Sequence, residues 1–86
     1  MPEISRFLGI VIAMYFKDHG LPHFHAKYGS QRATLSINDL RLIEGKLPPR
    51  VVLLVLEWAF QHREELLENW ERGERREGLH KIEPLV

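Results

Sequence analysis

The chain contains 86 residues, 44% of them apolar, and no Cys, which excludes thiol catalysis and thiolate metal ligands. Its 12 Lys and Arg are balanced by 12 Asp and Glu, which argues against indiscriminate binding to polyanions. This length predicts one domain over residues 1–86, near the lower end of what a single apolar core can stabilise. The apolar run at 7–16 lacks the flanks of a signal peptide and is too short to span a bilayer, so we expect a cytoplasmic protein without membrane contact.

The first predicted elements are strands. Residues 9–16, GIVIAMYF, are apolar on both alternating faces, which indicates a central strand covered on both sides. Residues 18–22 contain Asp, Gly and Pro and predict a turn. The segments 23–28 and 31–37 predict two further strands, joined by a two-residue turn at 29–30 that begins with Gly.

This predicted hairpin sorts its side chains into two faces, because residues equally far from the turn lie opposite each other. The apolar face pairs Phe24 with Leu35 and Ala26 with Ala33, and the polar face pairs His23 with Ser36, His25 with Thr34 and Lys27 with Arg32. The clean sorting supports the register. We therefore expect both histidines to point away from the apolar face.

The second half of the chain predicts a short fourth strand and a helix. The strand is placed at 41–44, after a turn at 38–39. Pro48 and Pro49 open one long helix with apolar residues at helical spacing, which ends at Gly73 or Gly78. The tail after the helix is a candidate edge strand. The predicted fold class is α+β: a small antiparallel sheet of three or four strands packed against one long helix in two layers.

The histidines form the first candidate site. His23 and His25 share one strand face, and His19 in the turn could complete three ligands for a divalent metal, with Asp18 nearby. The alternative interpretation is a polar face on which both strand histidines are hydrogen-bonded to Thr34 and Ser36.

The polar face as a whole forms the second candidate site. Lys27 and Arg32 on it suit a phosphate or a carboxylate, and RNA or DNA is a candidate partner. Phe24 and Tyr28 are predicted on the opposite face, which leaves this surface without a platform for stacked bases.

The helix carries three further candidates. Arg63 falls in the middle of the apolar stripe, so its guanidinium needs a partner such as Asp18 or Asp39, unless it reaches over the rim of the core. Leu54 and Trp58 fall outside the main stripe, which predicts an interface, in a homodimer or with another protein. The alternative is a wider buried arc that the C-terminal tail covers.

Three stretches of the sequence resemble one family: MPEISRFLGIVIAMYFKDHGLPHFHAKYG, ATLSI, and GKLPPRVVLLVLEWAFQHREELLENW. The family is the domain of unknown function 4160, a group of small prokaryotic proteins, in which a second proline often stands at the position of Leu21. The resemblance implies no catalytic mechanism. It implies a small protein partner from an adjacent gene, in an arrangement similar to toxin–antitoxin pairs. It also marks the matching residues Tyr15, Asp18, His19, His23 and His25 as site candidates.

Two functions are consistent with these features. The first is a regulatory binding module that pairs with a small protein and with nucleic acid. The second is a small metal-dependent or histidine-based hydrolase, acting on RNA and centred on His19, His23 and His25. A purely structural dimer is a third reading, based on the small core alone.

Overall fold

The computed structural model describes residues 3–15 and 20–86, and within them five strands form one antiparallel sheet. The strand order in the sheet, β1-β2-β3-β4-β5, follows the order in the chain. The strands are β1 (Glu3–Phe7), β2 (Ile10–Ala13), β3 (His23–Tyr28), β4 (Gln31–Ser36) and β5 (Leu42–Gly45). The predicted α+β class and the antiparallel sheet are confirmed, while the predicted count of three or four strands was wrong because β1 was not recognised.

Strand β1 was not predicted because the first of the two turn residues that connect it to β2 is a leucine. Leu8 and Gly9 form this connection with φ angles of 51° and 78°. Two consecutive positive φ angles are what a tight hairpin turn requires, but Asn, Asp and Gly normally supply them. Leu8 does so here with a side chain that is 56% exposed. The sequence therefore gave no indication of this hairpin, because leucine is unusual at such a turn position.

The hairpin of β3 and β4 has the predicted register. His23 lies opposite Ser36, His25 opposite Thr34, and the same alignment continues to the turn. Gly29 has a φ of 61°, a conformation that glycine adopts without steric cost.

Two helices replace the single predicted one: α1 (Pro49–Gln61) and α2 (Arg63–Glu74). Pro48 precedes the first turn of α1, as the sequence predicts, and Gly73 lies in the last turn of α2. The break is at His62, where φ is −120° and the N–H lies 3.2 Å from the carbonyl oxygens of both Trp58 and Ala59. Such shared hydrogen bonds are typical of a helix end. Neither helix combines the length and apolar character needed to cross a membrane, as far as the described residues show.

Helix α1 covers one side of the sheet, which we call the inner face. The ring of Trp58 lies 5.6 Å from that of Phe7 and 6.0 Å from that of Phe24, centroid to centroid. Ile10, Ile12, Phe24, Leu35, Val55, Trp58 and Leu66 are among the residues buried in this core. The opposite side of the sheet is the outer face, and every second residue of each strand points to it.

The C-terminal segment, residues 77–86, packs back on the domain without forming a strand. The N–H of Ile82 donates to the carbonyl of Ile4 in β1 at 2.8 Å. The indole N–H of Trp58 donates to the carbonyl of Glu83 at 2.7 Å. Trp58 is therefore completely buried, and the prediction that it forms an interface is wrong, because the tail covers it as the alternative stated. Leu54 is half-buried against the same core.

Candidate functional site

The outer face of the sheet brings together most of the predicted site residues. Pairing between neighbouring strands aligns Val11, Lys27 and Arg32 in one row. The adjacent row contains Ala13, His25, Thr34 and Glu44. Lys27, Arg32 and Glu44 are exposed, and His25 and Thr34 are half-buried. The alternation of side chains along each strand thus places two cations, an imidazole, a hydroxyl and a carboxylate on one surface.

Lys27 and Arg32 face each other directly across β3 and β4. Like charges in this position repel, because cross-strand neighbours lie only about 5 Å apart at Cβ. No carboxylate in the described part of the chain forms an ion pair with either residue, whereas several other arginines are compensated: Arg6 by Glu3, Arg41 by Asp39, and Arg75 by Glu77. The pair therefore presents concentrated positive charge to an anion.

Four aromatic rings, counting the two imidazoles, contact one another in a row that leads from this surface to α2. The Tyr15 ring meets the His25 ring edge-on with centroids 4.6 Å apart, and the His25 ring meets the His23 ring at 5.2 Å. The Trp70 ring in α2 lies 4.9 Å from that of His23. Tyr15, two residues after β2, thus supplies an aromatic side chain to a face on which the sequence predicts no platform for stacked bases.

Hydrogen bonds fix the orientation of both histidines. Nδ1 of His23 donates to the carbonyl of Leu21 at 2.7 Å. A carbonyl oxygen only accepts, so the neutral ring has its proton on Nδ1 and a lone pair on Nε2. Nδ1 of His25 is hydrogen-bonded to the hydroxyl of Thr34 at 3.3 Å. Both rings are therefore oriented by hydrogen bonds, and the carbonyl partner defines the donor atom of His23.

The outer face is concave. A hollow of 480 Å³ is lined by Tyr15, His25, Lys27, Arg32, Thr34 and Glu44, among others. A second hollow, of 440 Å³, is lined by Leu21, His23, His25, Thr34, Ile43 and Glu44. They share His25, Thr34 and Glu44, so a polar row separates a cationic hollow from a more apolar one. Leu21 and Ile43 are 56% and 43% exposed, which leaves the second hollow with apolar walls open to a ligand.

A glycine sets the shape of the cationic hollow at β5. Gly45 has a φ of 87°, and a Cβ built there would lie 2.3 Å from the carbonyl oxygen of Arg32. Only glycine allows β5 to approach β4 this closely. The sequence predicts the short strand around Glu44, but it gives no sign that Gly45 and Glu44 belong to the site.

The predicted metal site is only partly covered by the structure. Asp18 and His19 lie outside the described residues. Among residues 3–15 and 20–86, no group of three His, Asp or Glu side chains has the geometry to hold a metal ion. His23 and His25 are neighbours, as predicted, and the set of His19, His23 and His25 stays a prediction.

Arg63 does not belong to the outer face and is not buried. Its side chain is exposed, and its guanidinium donates to the carbonyl of Asn38 instead of pairing with Asp39. At the junction between α1 and α2, it is His62 and not Arg63 that packs towards the core, with its ring 5.6 Å from that of Trp58. Of the two alternatives for Arg63, the buried guanidinium is therefore wrong, whereas the arginine outside the core agrees with its exposure. Its hydrogen bond connects the start of α2 to the turn after β4.

Comparison with known proteins identifies the family. The model of the family described as domain of unknown function (DUF4160) matches residues 9–71, well over half of the chain. The chain belongs to this family. No curated protein and no solved structure matches it.

Proposed function

We propose that this DUF4160 protein is a small cytoplasmic binding module, one component of a two-gene pair similar to toxin–antitoxin pairs, and that its outer face binds a single strand of nucleic acid. The protein encoded by the second gene would bind elsewhere on the domain. The proposal concerns recognition and assigns no reaction to the module.

The facing cations Lys27 and Arg32 carry the proposal. Among the described residues no carboxylate pairs with either cation, so their mutual repulsion lowers the stability of the free protein, and a bound phosphate would relieve it. Arginine can hold a phosphate through two hydrogen bonds, and lysine adds a point charge. The hydroxyl of Thr34 lies on the same strand as Arg32, two residues away, and with His25 Nδ1 as the donor in their hydrogen bond it can itself donate to a phosphate.

The neighbouring rings and the apolar hollow would receive the bases of a nucleic acid, which a phosphate site alone does not do. Nucleic-acid single strands are held by cations that follow the backbone and by aromatic or apolar surfaces that receive the bases. Here the cationic hollow adjoins the hollow lined by Leu21, His23 and Ile43. A phosphate in the first would place an adjacent base over the second.

The proposal is tested by fluorescence anisotropy with labelled eight-nucleotide RNA and DNA at several salt concentrations. We expect binding at 50 mM salt, with lower affinity in Lys27→Ala and Arg32→Ala. Each lost phosphate contact should also reduce the slope of log affinity against log salt by about 0.7, the value for single strands.

Arg50→Ala is the matched control, because Arg50 is exposed on α1 and forms no ion pair within the described residues. This variant should bind as the wild type does. Equal losses in Arg50→Ala and Arg32→Ala would indicate unspecific charge attraction. Absence of binding to either nucleic acid at low salt would refute the proposal.

The second candidate function is a histidine-based hydrolase that acts on RNA. His25 and Glu44 line the cationic hollow together, so an imidazole and a carboxylate, the groups that general acid–base catalysis uses, lie beside the proposed phosphate site. Incubation of labelled RNA with the protein, with and without EDTA, tests this function. Cleavage lost in His25→Ala would support it, EDTA sensitivity would indicate the metal-dependent form, and RNA intact after long incubation would exclude it.

A further inference from the structure

One carboxylate lies at the border between the two hollows of the outer face, and the proposed phosphate contacts do not use it. Glu44 lines the cationic hollow and also the second hollow, which we call the apolar hollow because Leu21 and Ile43 form its walls. Glu44 is exposed, and within the described part of the chain it has no ion-pair partner, although Lys27 and Arg32 line the cationic hollow with it. Its carboxylate is therefore accessible to a ligand.

Strand pairing holds Glu44 on the outer face at this border. Glu44 lies opposite Thr34, which in turn lies opposite His25. These three residues form the polar row that both hollows share. A nucleotide with its phosphate at the cation pair and its base in the apolar hollow must cross this row. An edge of the base therefore lies beside Glu44.

The charge of Glu44 restricts what the apolar hollow accepts. None of the described residues that line this hollow is Lys or Arg. An ionised carboxylate only accepts hydrogen bonds, and it repels a second phosphate because like charges oppose each other across an interface. The group that fits has an apolar surface for Leu21 and Ile43 and N–H donors on its edge for Glu44. A nucleobase has this combination, whereas a phosphate does not.

The four bases differ in the N–H donors that they offer to a carboxylate. Uracil has one ring N–H between two carbonyl oxygens, which a carboxylate repels. Adenine and cytosine have one amino group beside a ring nitrogen that only accepts. Guanine has a ring N–H and an amino group side by side, so that it can donate to both oxygens of one carboxylate, as the guanidinium of arginine does. Guanine is therefore the base that matches Glu44 best.

We propose that Glu44 makes the outer face selective for guanine, which lies in the apolar hollow and donates two hydrogen bonds to this carboxylate. The inference rests on the proposed function, since it names the base that accompanies the phosphate at Lys27 and Arg32. The cation pair supplies affinity for any single strand, and Glu44 distinguishes among bases.

The test compares three labelled eight-nucleotide RNAs by fluorescence anisotropy at 50 mM salt: all uracil, alternating uracil and guanine, and alternating uracil and hypoxanthine. A bidentate contact discriminates between bases by about tenfold, so we expect the guanine RNA to bind about tenfold more tightly than the uracil RNA. Hypoxanthine keeps the ring N–H of guanine and lacks only the amino group. The hypoxanthine RNA should therefore bind with intermediate affinity.

Glu44→Gln removes the charge while it keeps the shape of the side chain. An amide offers one acceptor oxygen where the carboxylate offers two, so affinity for the guanine RNA should fall about tenfold. Affinity for the uracil RNA should rise, because the repulsion of its phosphates and carbonyls is gone. Changes of opposite sign on two RNAs are not what a loss of folding produces, and thermal melts of the exposed variant should match the wild type.

Glu57→Gln is the matched control, because Glu57 is an exposed glutamate on α1, away from the outer face. It removes the same charge and should leave the preference for guanine unchanged. Lys27→Ala should weaken binding of all three RNAs alike and preserve the preference. Equal binding of the guanine and uracil RNAs by the wild type, or the same change for both in Glu44→Gln, would overturn the inference and leave the proposed function standing. Absence of binding to every RNA would overturn both.

Discussion

The inner and outer faces of the sheet present opposite environments at adjacent positions of the same strands. Ile12, Ala26 and Ala33 form an inner row in which no residue is more than 4% exposed. One position along, Lys27 and Arg32 point outward and are exposed. The inner row gains stability from apolar burial, whereas the outer row places like charges together at a cost to stability. Folding thus depends on the inner face, and the charged pair on the outer face does not contribute to it.

The largest expected effect is that of Trp58→Ala on the inner face. Trp58 is fully buried between two phenylalanine rings and hydrogen-bonds to the C-terminal segment. Truncation of a buried Trp typically costs about 3–5 kcal/mol of unfolding free energy. Urea denaturation followed by circular dichroism measures this loss.

Phe60→Ala is its control, an aromatic residue two positions further along α1 that is 74% exposed. Its unfolding free energy should stay within about 0.5 kcal/mol of the wild type. Similar losses in the two variants would contradict the assignment of Trp58 to the core and Phe60 to the surface.

The sequence predicted the centre of the fold better than its boundaries. Period-two alternation in β3 and β4 is strong, and a single turn residue, Gly29, determines the register, so every pair of that hairpin could be derived. The β1 hairpin could not, because Leu8 adopts a positive φ that its residue type does not indicate. The helix break could not either, since His62 is not a residue type that ends helices and no Gly or Pro stands near it.

The site residues likewise divide into those that local sequence pattern predicts and those that it does not. His23, His25, Lys27 and Arg32 follow from strand register and were placed on one face from sequence. The contact of Trp70 with His23 joins residues 47 positions apart and depends on how α2 lies after the break, so local pattern gives no sign of it. The mistake about Trp58 has a similar cause, because only the position of the tail reveals its burial.

The second prediction concerns the polar connection between α2 and the tail. Asn69 is 1% exposed, its side chain donates to the carbonyl of His80, and it accepts from the N–H of His80, both at 2.9 Å. Asn69→Ala leaves two backbone groups without these partners and should cost about 1–3 kcal/mol. Glu68→Ala, next to it on the exposed side, should cost far less. Chemical denaturation compares them, and a negligible loss for Asn69→Ala would mean that water replaces the side chain.

The third prediction is a substitution in the core that should raise the unfolding free energy, whereas most core substitutions lower it. Ser5 lies opposite Ile12 and is 5% exposed, and its hydroxyl has no hydrogen-bond partner among the described residues. An unsatisfied buried hydroxyl costs stability, so Ser5→Ala should raise the unfolding free energy by about 1 kcal/mol. Thermal melts at one pH reveal this as a higher midpoint.

Ser36→Ala is the matched control for Ser5→Ala. Ser36 is equally buried, but its hydroxyl donates to the carboxylate of Asp39 and lowers the pKa of that group. Its removal should lower the melting temperature. If both serine variants shifted the midpoint in the same direction, the hydrogen-bonding difference between the two hydroxyls would not explain their effects.

The smallest expected effect tests whether the facing cations on the outer face lower the stability of the protein. Lys27→Thr removes one member of the facing cation pair, so the free protein should gain about 0.5 kcal/mol of unfolding free energy at low salt. Threonine also favours strands, so charge and propensity must be separated. At 1 M salt the Debye length is about 3 Å and the charge contribution disappears, whereas the propensity contribution remains. We expect the gain in unfolding free energy to shrink with salt and RNA binding to weaken. A gain that does not depend on salt would mean that Lys27 and Arg32 do not repel each other, so that a bound anion would have no repulsion to relieve.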